Sequence, residues 1–309
     1  MPLMKLTIPA VFVVRSTLVV LLAVGAATCS AQIDHNITPF TKDMTSHING
    51  LTGHAYGDGQ FRPDAGAQLY RRYCVGCHGA KGNGEGENAQ WINPKPRDLT
   101  LGTFECRSTP TGTLPTDQDL FNSITRGFVT TNMPSWKPLT NQERANLIAM
   151  VKAFSPRWGK EKPGTPITIP PPPPLTIEHI LAGRETFDKL QCWKCHGPEG
   201  RGDGAAAATL TTDKGDSIRP YDFSTGSRFK CGQTDRDLYQ VFMTGLDGTP
   251  MPSFADVVKP DQAWELVYFL RTLQVSQKSP ELGLIKQYQA AHPGQLKPVG
   301  QDQAPGTGQ

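Results

Sequence analysis

Two stretches of this chain share one pattern: YCVGCHG at residues 73–79 and QCWKCHG at residues 191–197. Cys74, Cys77 and His78 recur as Cys192, Cys195 and His196, each displaced by 118 residues. A methionine keeps the same period, Met133 in TNMPSW and Met251 in GTPMPSF. Anchors repeating at one fixed interval mark a tandem arrangement of two similar units, and any fold must accommodate both.

The flanks repeat as well. AGAQLYRRY (65–73) and AGRETFDKLQ (182–191) lead into the two motifs, with Gly66 and Tyr70 matched by Gly183 and Phe187. A four-residue step places each pair on one helical face. Thr140 and Glu143 form a capping-box signature before NLIAMVKAF (146–154). Its apolar positions Leu147, Ile148, Val151 and Phe154 match Leu266, Val267, Leu270 and Leu273. Shorter helices are expected from Asp117 and Asp235. Between the histidines and these helices run loops rich in Gly and Pro, including NPKPRDLT (93–100) and SIRPYDFS (217–224).

The expected organisation is an export signal over 1–31, an irregular leader over 32–61 and a first helical domain over 62–158. A proline-rich linker follows over 159–175, then a second domain over 176–275 and a poorly ordered tail over 276–309 rich in Gln, Gly and Pro. PGTPITIPPPPP (163–174) lacks amide donors at five consecutive positions and reads as a semi-rigid strap. Lys5 and Arg15 precede the ten-residue apolar run Leu18–Ala27, short for a membrane span, with small residues up to Ala31. That reading places the protein in the periplasm or another oxidising, extracytoplasmic compartment. Cys29 leaves open a lipid anchor, and an uncleaved signal would be a second form of anchorage.

Cysteines followed by histidine in C-x-x-C-H admit three chemistries. Zinc needs further Cys or His ligands at paired spacing, and neither motif has a second pair. A thioredoxin-like dithiol belongs in a βαβ setting, unlike these helical flanks. In the third, two thiols bond covalently to the vinyl groups of haem and the histidine ligates its iron. A duplicated motif with matched surroundings selects the third. Composition agrees, since 31 Gly, 27 Pro and only 37% hydrophobic residues leave a core that a bound cofactor would help to fill. The formal charge of +3 comes from scattered Lys and Arg without a basic block, which argues against nucleic acid as a partner.

Iron then requires a sixth ligand. Met133 lies 55 residues after His78, and Met251 lies 55 after His196. Each precedes Pro-Ser-aromatic, and the prolines restrict the loop so that a thioether can be aimed at little entropic cost. The equal spacing hides unequal parts: the steps through Cys106 are 28 and 27 residues, those through Cys231 are 35 and 20. Met150 and Met243 sit on helical apolar patterns and read as core.

The motifs CVGCHG with NMPSW, and CWKCHG with PMPSF, resemble class I cytochromes c in tandem, similar to periplasmic dihaem cytochromes of the c4 type. The resemblance covers roughly 62–156 and 176–275. It implies an all-α fold of two cytochrome c domains with long Gly- and Pro-rich loops around covalently bound haems. It implies two haem c groups attached at Cys74, Cys77, Cys192 and Cys195, with iron ligands His78, Met133, His196 and Met251. It implies single-electron carriage between a redox protein donor and acceptor, such as membrane complexes or periplasmic reductases and oxidases. With both axial positions filled, substrate could reach the metal only by displacing a ligand.

Cys106 and Cys231 remain, in FEC (104–106) and FKC (229–231). If the halves pack about a pseudo-two-fold axis, equivalent residues near that axis meet and a disulfide can close; two separate buried thiols is the other reading. Cys106 also raises an enzyme alternative, because dihaem thiosulfate dehydrogenases use a cysteine axial ligand. Dihaem peroxidases would need an open or displaceable position. A fixed electron-entry subunit of a membrane redox complex is a further alternative. Arg97 is a candidate partner for a haem propionate and reads equally well as a solvated loop arginine. Trp136 and Phe254 read as packing at the haem edge rather than as electron relays, and Trp193 is a further candidate for that edge. Arg71, Arg72, Lys189 and Lys194 read more simply as solvated helix faces than as a docking patch. His35, His47 and His54 have no ligand spacing.

Overall fold

The computed structural model describes residues 63–226, 229–276 and 278–300. The export segment, Cys29, the leader and its three histidines lie outside the described residues. Among the described residues the regular structure is helical, with two isolated bridges (Leu114–Pro163 and Thr211–Ser217) and no strand.

The first half contains α1 (Pro63–Tyr73), α2 (Val75–His78), α3 (Asp117–Arg126), α4 (Asn141–Ala153) and α5 (Arg157–Lys160). The second contains α6 (Ile177–Lys189), α7 (Trp193–His196), α8 (Asp235–Thr244), α9 (Pro260–Leu273) and α10 (Pro280–Ala291). Helix α4 starts where the capping box places it: the Thr140 side chain accepts from the Glu143 amide, and Glu143 accepts from the Thr140 amide at 2.8 Å. Helices α3 and α8 have the same reciprocal cap in a Thr-x-x-Asp form, through Thr116 with Asp119 and Thr234 with Asp237. Each such cap contributes about 1 kcal/mol.

Each half is built on one crossing, α1 against α4 and α6 against α9. The crossings explain Gly66 and Gly183. A Cβ on Gly66 would stand 2.2 Å from the Asn146 carbonyl oxygen, and one on Gly183 would stand 1.9 Å from that of Glu265. Only hydrogen fits between backbones this close. Around the first crossing pack Tyr70, Leu147, Ile148, Met150 and Phe154; around the second pack Phe187, Trp264, Leu266, Val267 and Leu270. Met150 is therefore core.

The tail departs from expectation. Helix α10 is capped by Ser279, whose side chain accepts from the Leu282 amide, and buries Leu282 and Ile285 against Ile180 and Tyr268. The Gln- and Gly-rich composition hid an apolar face that α6 and α9 had ready to cover it. The chain then returns over the second half: Val299 is buried in its core and the Gly300 amide donates to Asp188 Oδ1 at 2.8 Å.

The proline strap is tied to both halves in turn. Ile167 N donates to the Ser108 carbonyl at 2.8 Å, whereas Trp264 Nε1 donates to Pro170 O and Tyr268 Oη to Pro173 O. Prolines without amide hydrogens still present carbonyls, and these are what the second half binds. Helix α5 runs to Lys160, slightly beyond the expected domain limit at 158.

Cys106 and Cys231 form a disulfide across the junction of the halves. Beside it Arg107 is 1% exposed and donates through Nη2 to Asp247 Oδ1 at 2.7 Å and to the Thr244 carbonyl at 2.6 Å. Asp247 also accepts from Thr111 Oγ1 and Gly112 N, so both its oxygens are satisfied from the first half.

Candidate cofactor sites

Helix α1 delivers the first motif. Cys74 N donates to the Tyr70 carbonyl at 2.9 Å, and the chain turns through α2, closed by His78 N donating to the Cys74 carbonyl at 2.9 Å. Gly79, with φ of 77°, ends the turn, and its carbonyl accepts from the buried Tyr70 hydroxyl at 2.8 Å. A single helical turn sets Cys74 and Cys77 three residues apart with His78 beside them, on the rim of a cavity of about 210 Å³.

Met133 lines the same cavity, brought there by the loop after α3. That loop is held by Phe128 N donating to Met133 O at 3.0 Å and by Met133 N donating to Thr131 Oγ1 at 3.1 Å. Trp136 N donates to the Ile124 carbonyl, and its ring packs 5.1 Å from that of Tyr73. Leu120, Ile124, Leu147 and Val151 supply the apolar wall. Four sequence candidates, Cys74, Cys77, His78 and Met133, thus converge on one space.

The second site repeats the local bonding. Cys192 N donates to the Phe187 carbonyl at 3.1 Å, His196 N to Cys192 O at 2.9 Å, and Gly197 has φ of 78°. Leu246 N donates to Met251 O and Met251 N to Thr249 Oγ1, the counterparts of the first loop's bonds. Cys192, Trp193, Met251 and Phe254 all pack against the second core.

Both histidines are fixed from behind. His78 Nδ1 lies 3.0 Å from the Arg97 carbonyl and His196 Nδ1 lies 3.3 Å from the Tyr221 carbonyl. A carbonyl only accepts, so Nδ1 carries the proton and the lone pair is on Nε2, the form a metal requires. Burial lowers the pKa of both imidazoles, with the backbone bond opposing it, and neutral imidazole is the ligating form.

The cysteines do not behave as a redox dithiol. Burial pushes Cys74 and Cys192 up to about 12, with their neighbouring cysteines adding to the shift. Catalytic C-x-x-C thiols are shifted the opposite way. Zinc fares no better, since among the described residues no group of three or more His, Cys, Asp or Glu is placed to hold a metal ion.

The residues of the first site fit a haem, and the second motif repeats their local bonding. Two thiols on one turn, an imidazole with Nε2 free, a thioether in a second loop and an apolar wall are the donor set such a group needs. The Cys106 sulfur is committed to the disulfide and is not free to ligate.

Sequence reasoning missed that the first cavity is lined by both halves of the chain. Thr212, Asp213, Lys214, Asp216, Ser217, Ile218 and Lys230 face it from the second. The FEC and FKC cysteine pair was the one signal that these segments meet. Arg97, a candidate from sequence, lines the cavity, donates to Glu105 Oε1 and stands 4.0 Å from Asp213. Trp193 is covered by Gly300, where a Cβ would lie 3.0 Å from the indole.

Residues 61–151 match the family described as cytochrome c oxidase, cbb3-type, subunit III, and residues 180–274 match the family described as cytochrome c. No curated protein matches the chain. Among solved structures, a chain of the reducing HAO-like protein complex Kustc0457/Kustc0458 of Kuenenia stuttgartiensis is similar, at 40% identity and a TM-score of 0.67. The match covers 69% of this chain and 99% of that one.

Proposed function

We propose that this chain, which belongs to the tandem class I cytochromes c, passes electrons one at a time between redox partners through two covalently bound haems c. Cys74 and Cys77 hold the first and Cys192 and Cys195 the second, with His78, Met133, His196 and Met251 as axial ligands. The observation that carries this reading is the convergence of Cys74, Cys77, His78 and Met133 on one cavity, with the bonding that shapes it repeated around the second motif.

The bound groups supply one-electron iron chemistry. The chain's own residues do the rest. Arg97 and Tyr221 orient the imidazoles through their carbonyls. Thr131 and Thr249 fix the backbone amides of the methionines. Leu120, Ile124, Leu147 and Val151 exclude water from the first site and hold the effective dielectric constant low.

The setting we propose is extracytoplasmic, as is usual for cytochrome c domains. Among the described residues no helix is long and apolar enough to cross a membrane. The likeness to a chain from a reducing HAO-like protein complex favours a second, compatible reading: a fixed electron-transfer subunit of a redox protein complex. The thiosulfate dehydrogenase alternative loses its cysteine ligand to the disulfide.

Absorption spectroscopy of the oxidised holoprotein tests the assignment. A methionine-to-ferric-iron charge-transfer band accounting for two haems is expected, halved in Met133→Ala and in Met251→Ala. A full band in either variant would remove that methionine from the ligand set. Catalytic turnover of a small substrate by the isolated chain would replace the carrier reading with an enzyme.

A further inference from the structure

Glu105 and Lys230 hold equivalent places in the two halves, FEC and FKC, and each immediately precedes a cysteine of the disulfide. Closure of that bond sets the two side chains against each other across the junction. Lys230 Nζ lies 2.6 Å from Glu105 Oε2, and Arg97 takes the other carboxylate oxygen. Burial alone would raise the Glu105 pKa, but Lys230 and Arg97 outweigh it and hold the carboxyl below its ordinary range, so it is charged at neutral pH.

All three residues line the first cavity with Cys74, Cys77, His78 and Met133. The arrangement is asymmetric. Where the first site has Arg97, the second has Tyr221, whose ring packs 4.8 Å from that of Phe229, the counterpart of Phe104. Among the positions where the two copies differ, Arg97/Tyr221 and Glu105/Lys230 place Arg97, Glu105 and Lys230 together on the wall of the first site.

We propose that the Glu105–Lys230 pair positions charge for the first site, so that the second half of the chain sets the reduction equilibrium of the group held there. The inference rests on the two-haem reading above. Glu105 and Lys230 largely cancel each other, so removing either changes the charge beside the first site by one unit, with Arg97 still paired to Glu105 when Lys230 is absent. One unit charge at about 10 Å, in an effective dielectric constant of about 20, moves a one-electron equilibrium by on the order of tenfold.

The test is a redox titration of the purified holoprotein followed by absorbance, with the first haem assigned from the spectrum of Met133→Ala. Glu105→Gln is expected to favour reduction at the first site, and Lys230→Gln to disfavour it, each by roughly tenfold. Lys230→Arg is expected to restore the wild-type value, and the second site to stay put throughout. Shifts of the same sign, equal movement of both sites, or no movement overturn the proposal, because loosening of the junction alone would not reverse sign with charge. Should these variants fail to assemble, Asp213→Asn removes a second-half charge from the same wall at a more exposed position and is expected to favour reduction at the first site by a smaller factor. No shift there would be equally decisive. A wild-type protein that binds fewer than two haems ends the underlying reading, whereas two haems indifferent to these substitutions end only this inference.

Discussion

Arg107 of the first half is buried on Asp247 of the second, Nη2 to Oδ1 at 2.7 Å, and both are saturated with further hydrogen bonds. Burial pushes the Arg107 pKa down and Asp247 opposes that, yet a guanidinium stays charged throughout the accessible pH range. Truncating one partner leaves the other charge unpaired in the junction. Arg107→Ala is expected to cost about 3–5 kcal/mol, measured by denaturant unfolding of the holoprotein. A loss under about 1 kcal/mol would mean water replaces the guanidinium there.

The disulfide closes a loop of 125 residues that contains the second motif, the strap and most of both junction faces. Its removal in Cys106→Ser/Cys231→Ser is expected to lower stability by about 2–5 kcal/mol while leaving the helical content unchanged. Circular dichroism with thermal unfolding reads both quantities. Thiol titration of the unfolded, non-reduced wild-type holoprotein should find no free thiol at either position.

Acid should weaken the junction through Glu105. Its folded-state pKa is held below the ordinary value near 4.5, so its contribution is present above that value and fades as pH falls through the lower folded one. Stability measured down a pH series is expected to decline below about pH 4.5, with a shallower slope in Glu105→Gln. Identical slopes would locate the acid sensitivity in other carboxylates.

Gly66→Ala and Gly183→Ala probe the two helix crossings. Each new methyl group meets a backbone carbonyl that cannot rotate away, at 2.2 Å and 1.9 Å. The expected cost is about 1–3 kcal/mol for each, felt in the half that carries it. Chemical denaturation followed by Soret absorbance measures it. A neutral result at Gly183 would show that α6 and α9 slide apart freely.

The repeat made the sites legible because periodicity reports which residues are equivalent. It placed Cys74 with Cys192, Met133 with Met251 and Gly66 with Gly183, and in the structure these pairs hold equivalent positions. Periodicity is silent on differences between the copies. Glu105 against Lys230 looks like drift in an alignment of the halves, yet the junction turns it into an ion pair. The caps of α3 and α8 use Asp119 and Asp237 where the usual signature has Glu or Gln, so they escaped a pattern search. Helix α10 escaped because Leu282 and Ile285 become informative only once Ile180 and Tyr268 are known to be waiting. Arg107 gave no signal, since an arginine beside a cysteine reads as surface until its partners, 137 and 140 residues away, are seen.

The disulfide has a further consequence, in the order of biogenesis. Six cysteines precede or follow one another through the described chain, and two of them, Cys106 and Cys231, must pair while four must not. Six thiols allow 15 complete pairings, so an environment able to make this bond can also close Cys74 onto Cys77 or Cys192 onto Cys195. Cys106 precedes its partner by 125 residues, and two further thiols, Cys74 and Cys77, precede it in turn. On the proposed roles, haem attachment to each pair competes with oxidation of the same two thiols, and every pair captured by haem removes wrong partners for Cys106 and Cys231.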